Sequence, residues 1–394
     1  MNSNYFSTDF ITKLSIPRLV GTEGERAAQR IIEDELTRLV SENYKKQSFI
    51  CSNFRNNLLR VYDVMLGIFM LFIFIQILLE WVILIYISII ILFLLSSQSR
   101  FLKEKISFSV NTHTQRSQSY NYIVNLPAQN KNKEQIKTIV MLAHYDSKSL
   151  TLHPIFEGAI YFFGLMGGTI FAIHVAIIET LYVLKLIPLI NPLQFIYIFF
   201  LILLYCIEFF NKTGNNSPGA NDNACGVASG MYLINILKEN SLKNTNLTIV
   251  FTGAEEIGEI GAYNFIKEYS TDLNEDNTYF LIIDSPGGSS EVNTCIYGQG
   301  LPKKSFSEFI ESHTRKVIKS HKMLKMDFLY VPPLIPFTTD HTPLKFFGDY
   351  EFLIFTSNNR WHSEKDNLEN YSPNMLENFF QFLRELIYEI DLVE

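Results

Sequence analysis

Cysteine is scarce in this chain of 394 residues: Cys51, Cys206, Cys225 and Cys295 are the whole complement, and none stands in a CxxC spacing. Neither a disulfide framework nor a thiolate zinc site is indicated. Charge is sparse as well, at 19% of residues, and its balance is acidic, with a net charge of −7 and a pI near 5.7. A phosphate-backbone partner calls for basic stripes, and their lack excludes nucleic-acid binding from the candidate functions. The opening residues "MNSNYFSTDFITKL" have no basic start followed by an apolar core, so no cleavable signal peptide is expected. What the chain has in excess is apolar: 47% of residues are hydrophobic, and the excess sits in two blocks.

The first block, "VYDVMLGIFMLFIFIQILLEWVILIYISIIILFLL", runs from Val61 to Leu95 with only Asp63 and Glu80 charged. As one helix it would be about 50 Å long against a hydrocarbon core of roughly 30 Å, so two spans turning near Glu80 fit better. The second block reads as two spans, roughly 159–178 and 193–210, separated by "KLIPLINP" with Pro188 and Pro192 as breakers. Gly164 and Gly168 make a GxxxG spacing that would let helices approach, although such a spacing is common in apolar segments. The expectation is two transmembrane hairpins, residues 58–99 and 153–210, in a multi-pass integral membrane protein of four spans with the lipid bilayer as a partner.

The remaining pieces, 1–57, 100–152 and 211–394, read as one discontinuous α/β domain. In "GTEGERAAQRIIEDELTRLV", Thr22 precedes Glu25 by three residues, and Ala27, Ile31, Ile32, Leu36 and Leu39 recur at helical spacing. Apolar runs of strand length follow: "YIVNL", "TIVMLA", "LTIVF", "FLIID" and "FLIF", with "VASGMYLINILKE" and "NMLENFFQFLRELIYEI" as helices. Strands alternating with helices predict a mostly parallel central sheet covered by helices on both faces.

Ligands of open α/β sheets bind beyond the carboxyl ends of the strands. "KTIVMLA" ends in His144 and Asp146, "LTIVF" leads to Glu255 and Glu256, "TYFLII" ends in Asp284, and "YEFLIFTSNNRW" leads to His362. The loop "SPGANDNACG" adds Asp222 before a helix. Singly, each has a plain alternative: His144 a surface or capping residue, Asp284 a turn starter, Asp222 a helix N-cap, the glutamate pair a solvated turn. Together they are two imidazoles and several carboxylates, a ligand set that suits zinc, and carboxylates that converge without a cation repel strongly.

With these residues the chain resembles the M28 family of zinc aminopeptidases. The matching stretches are "PRLVGTEGERAAQRI", "NYIVNLP", "MLAHYDS", "SPGANDNACGVA", "FTGAEEIGEIGA", "IIDSPG", "TTDHTPL" and "WHSEKDNLEN", in the family's order, and they cover the chain apart from the apolar blocks. The resemblance implies two zinc ions per chain: Asp222, Glu256 and His362 holding one, and Asp222, Asp284 and His144 the other. It implies that Glu255 is the general base, taking a proton from a metal-bridging water and passing it to the leaving amine of a peptide with a free N-terminus. Asp146 is expected to accept the other ring N–H of His144 and orient it. Asp340 and His341 match a family position near the pocket, with a pocket role and a loop-structural role equally open; His174 is either a functional flag in a span or a packing residue.

The chain departs from the family pattern in that Asp146 and Asp222 are 76 residues apart, with the second apolar block between them. If the flanking pieces form one sheet, each block crosses an even number of times, and both termini and the site share one side. Arg55, Arg60, Arg100, Lys103, Lys105 and Lys212 against Lys185 point to a cytoplasmic side, while sequons at Asn211, Asn215, Asn246 and Asn370 would permit glycosylation on the other. The leading function is a membrane-anchored dinuclear zinc aminopeptidase. The alternatives are a single-zinc glutaminyl cyclase-like acyltransferase, for which "HYDSK" and "WH" speak, and a non-catalytic membrane protein on a peptidase scaffold.

Overall fold

The structure is a computed structural model that describes residues 3–52, 54–92, 94, 116–130, 136–152, 154–189, 192–288, 292–320, 324–332, 337–357 and 360–393. Its strands are β1 (Lys45–Cys51), β2 (Ser117–Leu126), β3 (Lys137–His144), β4 (Ser149–Leu150), β5 (Thr213–Gly214), β6 (Thr245–Thr252), β7 (Thr278–Ile283), β8 (Val292–Gln299), β9 (Lys325–Val331) and β10 (Glu351–Ser357). Eight of them make one sheet in the order β1-β2-β6-β3-β7-β10-β8-β9, while β4 and β5 pair separately. The four central strands β6, β3, β7 and β10 run parallel; β1 with β2, β2 with β6 and β8 with β10 pair antiparallel, and β9 pairs parallel with β8. The sheet is therefore mixed, with parallel pairing concentrated in the centre.

The helices are α1 (Glu23–Val40), α2 (Phe54–Leu78), α3 (Pro154–Val183), α4 (Pro192–Phe210), α5 (Cys225–Leu237), α6 (Ile260–Tyr269), α7 (Glu308–Ser320) and α8 (Pro373–Asp391), and residues 82–92 are also helical. The central strands read as unbroken apolar runs because both faces are covered. Ile139, Met141 and Ala143 of β3 point into a core shared with α1, α5 and α8, while Val140 and Leu142 point into a second core with Phe265 and Ile266 of α6. Thr22 caps α1 by accepting the amide of Glu25 at 3.3 Å, and the Glu25 carboxylate reaches back to the amide of Gly21 at 2.5 Å.

The structure corrects the expectation of transmembrane hairpins and of a multi-pass membrane protein. Among the described residues no helix is long and apolar enough to cross a membrane. A hydropathy run counts apolar residues without showing what interrupts or covers them. The first third of α2 carries Arg55, Asn56, Asn57, Arg60 and Asp63, which leaves an apolar remainder of about 22 Å against a hydrocarbon core of roughly 30 Å. Helix α3 carries His174 and Glu179, and Gln76, Glu179 and Gln194 are all buried. The predicted break at Glu80 is real, with a positive φ of 53° there, and the helices bury one apolar face against one another while another stays exposed. Leu66, Met70, Ile73, Ile85, Phe171, Val175, Ile198 and Leu201 form a core of their own. Ile83, Ile196 and Phe199 lie on its exposed outer surface.

The surroundings of Gly164 and Gly168 lie outside the described residues. The close approach of α3 and α4 is at Gly167, where a Cβ would collide with Leu201 and whose carbonyl accepts Tyr197 Oη at 3.0 Å. Tyr197 also lies tilted against the ring of His174 with centroids 6.5 Å apart, which favours the packing role of that histidine.

Candidate metal centre

The parallel strands deliver the predicted residues to one edge of the sheet. Register pairs His144, the last residue of β3, with Thr252, the last of β6, and pairs Ile283 of β7 with Phe355 of β10. The chain turns sharply beyond these ends. Ala254, Ser285 and His362 adopt positive φ values of 58°, 64° and 54°, conformations that cost a side-chain-bearing residue about 1–3 kcal/mol each and recur at functional sites. Each lies next to, or is itself, a predicted site residue.

Asp222 stands at the centre of the cluster. Its Oδ1 is 3.2 Å from Nε2 of His144, and its Oδ2 is 3.5 Å from Nε2 of His362. Asp284 Oδ1 is 3.8 Å from His144 Nε2 on one side, and Glu256 Oε2 is 3.1 Å from His362 Nε2 on the other. His144, Asp222 and Asp284 form one group able to hold an ion, and Asp222, Glu256 and His362 another, with candidate ligand atoms within 4.8 Å of one another in each. His144, Glu255 and Glu256 make a third such group, and Glu255 Oε2 is 4.0 Å from His144 Nε2. His144 is 2% exposed, whereas the Glu255, His362 and Asp284 side chains are 10%, 20% and 22% exposed and mark the open side of the site.

Burial pushes the Glu255 carboxyl well above the usual carboxylate range, and the charges of Glu256, Glu259 and Asp284 add to this against the pull of His144. Burial acts on Glu256 in the same sense, but His362 and Lys148 outweigh it and hold that carboxyl well below the range. The residues fit a cation: three carboxylates and two imidazoles converge with hard and borderline donor atoms, and buried carboxylates this close repel unless positive charge lies between them.

Asp146 does something other than expected. Its carboxylate oxygens accept the amides of Glu255 and Glu256, each at 3.1 Å, while His144 Nδ1 meets the Asp146 backbone carbonyl at 3.2 Å and its carboxylate only at 3.7 Å. Asp146 thus ties the turn after β6 to the loop after β3. Asp340 Oδ2 accepts Thr252 Oγ1 at 2.6 Å, and the neighbouring Thr339 Oγ1 donates to Asp284 Oδ2 at 2.8 Å. His341 lies among Phe306, Phe337 and Phe352, and among the described residues neither ring nitrogen has a hydrogen-bond partner, which favours the loop-structural reading of that residue.

Three residues of the surround escaped the sequence reading. Lys148 Nζ is 3.1 Å from Glu256 Oε2. Asp366, buried behind Asp222, accepts the amides of Asn221 at 2.8 Å and Asp222 at 3.0 Å. Arg18 is wholly buried. The only signal was their presence inside "HYDSK", "WHSEKDNLEN" and "PRLVG". Asp366→Ala leaves two amides without their acceptor and is expected to lower unfolding free energy by about 1–3 kcal/mol per orphaned group, read by denaturant unfolding.

Comparison with known proteins follows this geometry. Curated protein sequences give no match. The crystal structure of LapB from Legionella pneumophila superposes with a TM-score of 0.54 at 11% identity, covering 100% of this chain and 73% of that one. A leucine aminopeptidase precursor from Bacteroides thetaiotaomicron gives 0.52 at 14% identity, covering 98% and 95%. An Acidobacteriales bacterium glutaminyl cyclase gives 0.53 at 14% identity, covering 99% and 93%. At such identities these neighbours establish the fold. The family model described as peptidase family M28 matches residues 209–387, the segment that contains Asp222, Glu255, Glu256, Asp284 and His362. Residues 209–387 of this chain are thus similar to the peptidase family M28.

Proposed function

We propose that the protein is a dinuclear zinc aminopeptidase, its catalytic unit assembled from residues 1–57, 100–152 and 211–394. The observation that carries the reading is Asp222, whose two carboxylate oxygens face two different imidazoles, as a ligand shared between two cations would. His144 and Asp284 complete one ligand group, and Glu256 and His362 complete the other. When bound, zinc supplies Lewis acidity toward the scissile carbonyl and makes water acidic enough to attack near neutral pH. Glu255, on the open side and outside the two groups that share Asp222, takes the proton from the attacking water and returns it to the leaving amine. Asp146 keeps the backbone of Glu255 and Glu256 in place by accepting both amides.

Wild-type protein is expected to hold two zinc ions by elemental analysis, to lose hydrolysis of N-terminal peptide bonds on chelation, and to regain it with zinc. A second reading, a glutaminyl cyclase-like acyltransferase, draws support from the structural neighbour of that activity. One zinc per chain, with turnover of N-terminal glutamine and no peptide hydrolysis, would decide for it.

A further inference from the structure

Arg18 is fully buried, the largest side chain among the described residues to be so. Its guanidinium meets no carboxylate within ion-pair distance among the described residues; its partners are backbone carbonyls. Nε donates to Tyr145 at 2.5 Å, one terminal nitrogen donates to Leu14 at 3.1 Å, Ile16 at 3.2 Å and Pro218, and the other donates to Gly219 at 2.8 Å. Tyr145 lies between His144 and Asp146, and Gly219 lies three residues before Asp222. The backbone of Arg18 joins the same two loops. Its amide donates to Ser147 Oγ at 3.2 Å, and that hydroxyl donates to the Ser217 carbonyl at 3.0 Å. Gly219, at φ 61°, leaves room for this approach, because a Cβ there would collide with Arg18, Ser147 and the Asp222 carbonyl.

One planar cation thus clasps the loop bearing His144 and the loop bearing Asp222 from behind, and its charge faces the carboxylates of Asp366, Asp222, Asp146 and Glu256 at longer range. A lysine would keep the charge but offers a point-like head that cannot reach carbonyls of three segments in fixed directions.

We infer that Arg18 is a positioning residue of the metal centre, setting the separation of the His144 and Asp222 loops so that their side chains meet one cation. The inference rests on the proposed metal site. Its test is zinc affinity, measured by competition with a chromophoric chelator, together with the visible spectrum of the cobalt-substituted protein, for wild type and Arg18→Lys. The variant is expected to bind zinc about 10–100-fold more weakly, as when a metal site's supporting contacts are lost, and to show an altered cobalt spectrum. Wild-type affinity and spectrum in a folded Arg18→Lys would overturn the inference, since a purely structural role would lower the melting temperature and leave both unmoved. Should Arg18→Lys not fold, Ser147→Ala removes the hydroxyl link alone and is expected to weaken zinc several-fold; an unchanged affinity there overturns the inference equally. Failure of wild type to bind zinc would instead remove the metal reading itself.

Discussion

Glu255→Gln is expected to retain zinc at wild-type stoichiometry and to lose peptide hydrolysis by about 10²–10⁴-fold, the usual contribution of a positioned general base. The amide is isosteric with the carboxylate and cannot take a proton from water. The Glu255 amide would still donate to Asp146, because that bond belongs to the backbone. Glu255 also stands apart from the two groups that share Asp222, so metal content and turnover should separate cleanly. Elemental analysis beside initial rates on an N-terminal peptide substrate reads both. Full activity in a zinc-loaded variant would show that the base lies elsewhere.

Asp222→Asn should behave in the opposite way, losing metal at both positions together. Each of its oxygens faces a different imidazole, at 3.2 and 3.5 Å, so no single-site substitution in the cluster reaches as far. The expected fall in zinc affinity exceeds about 100-fold, larger than the loss of a supporting contact, because a neutral amide is a poor zinc donor and would be shared by two ions. The metal-free variant should be no less stable than metal-free wild type, because one of several mutually repelling buried carboxylates has gone. Zinc counts after dialysis and thermal melts of the stripped proteins check the two halves. Two tightly held zinc ions in Asp222→Asn would rule out its role as the shared ligand.

The sequence made the centre of the fold legible and its margins less so. Strands β3, β6, β7 and β10 lie between two covered faces, so each carries a continuous apolar stretch that stands out as a run. Strand β1, "KKQSFIC", alternates exposed and buried positions, and β8 and β9 are also partly exposed, so none of the three formed a run. Strand direction was hidden as well, because an apolar run reads the same beside a parallel or an antiparallel neighbour.

At the site, His144, Glu255, Glu256 and Asp284 were visible because each stands at the end of a strand or within four residues of it. Asp146 was visible too, but the two-residue spacing from His144 could not show that its carboxylate serves amides at the end of another strand. Arg18 and Asp366 act on backbone groups of distant loops, and no residue type or spacing records such a partner. The apolar blocks misled for a related reason. Their helices satisfy much of their hydrophobicity against one another, and hydropathy along a chain does not report what lies across from it.

The short β4–β5 pairing bears on how so long an excursion can sit inside a catalytic loop. Leu150 and Thr213 stand opposite each other in the register, and the Thr151 amide donates to the Lys212 carbonyl at 3.1 Å. Residues 151–212 therefore leave and return through one doorway. Because closing a loop costs only slightly more as it lengthens, a frame of this kind tolerates wide variation in what hangs from it. The frame itself does not vary freely, since the Leu150 amide donates to the carbonyl of His362 at 2.8 Å. The hinge of the excursion is at the same time a strut of the site, so changes within the helices can be absorbed while changes at their root reach His362.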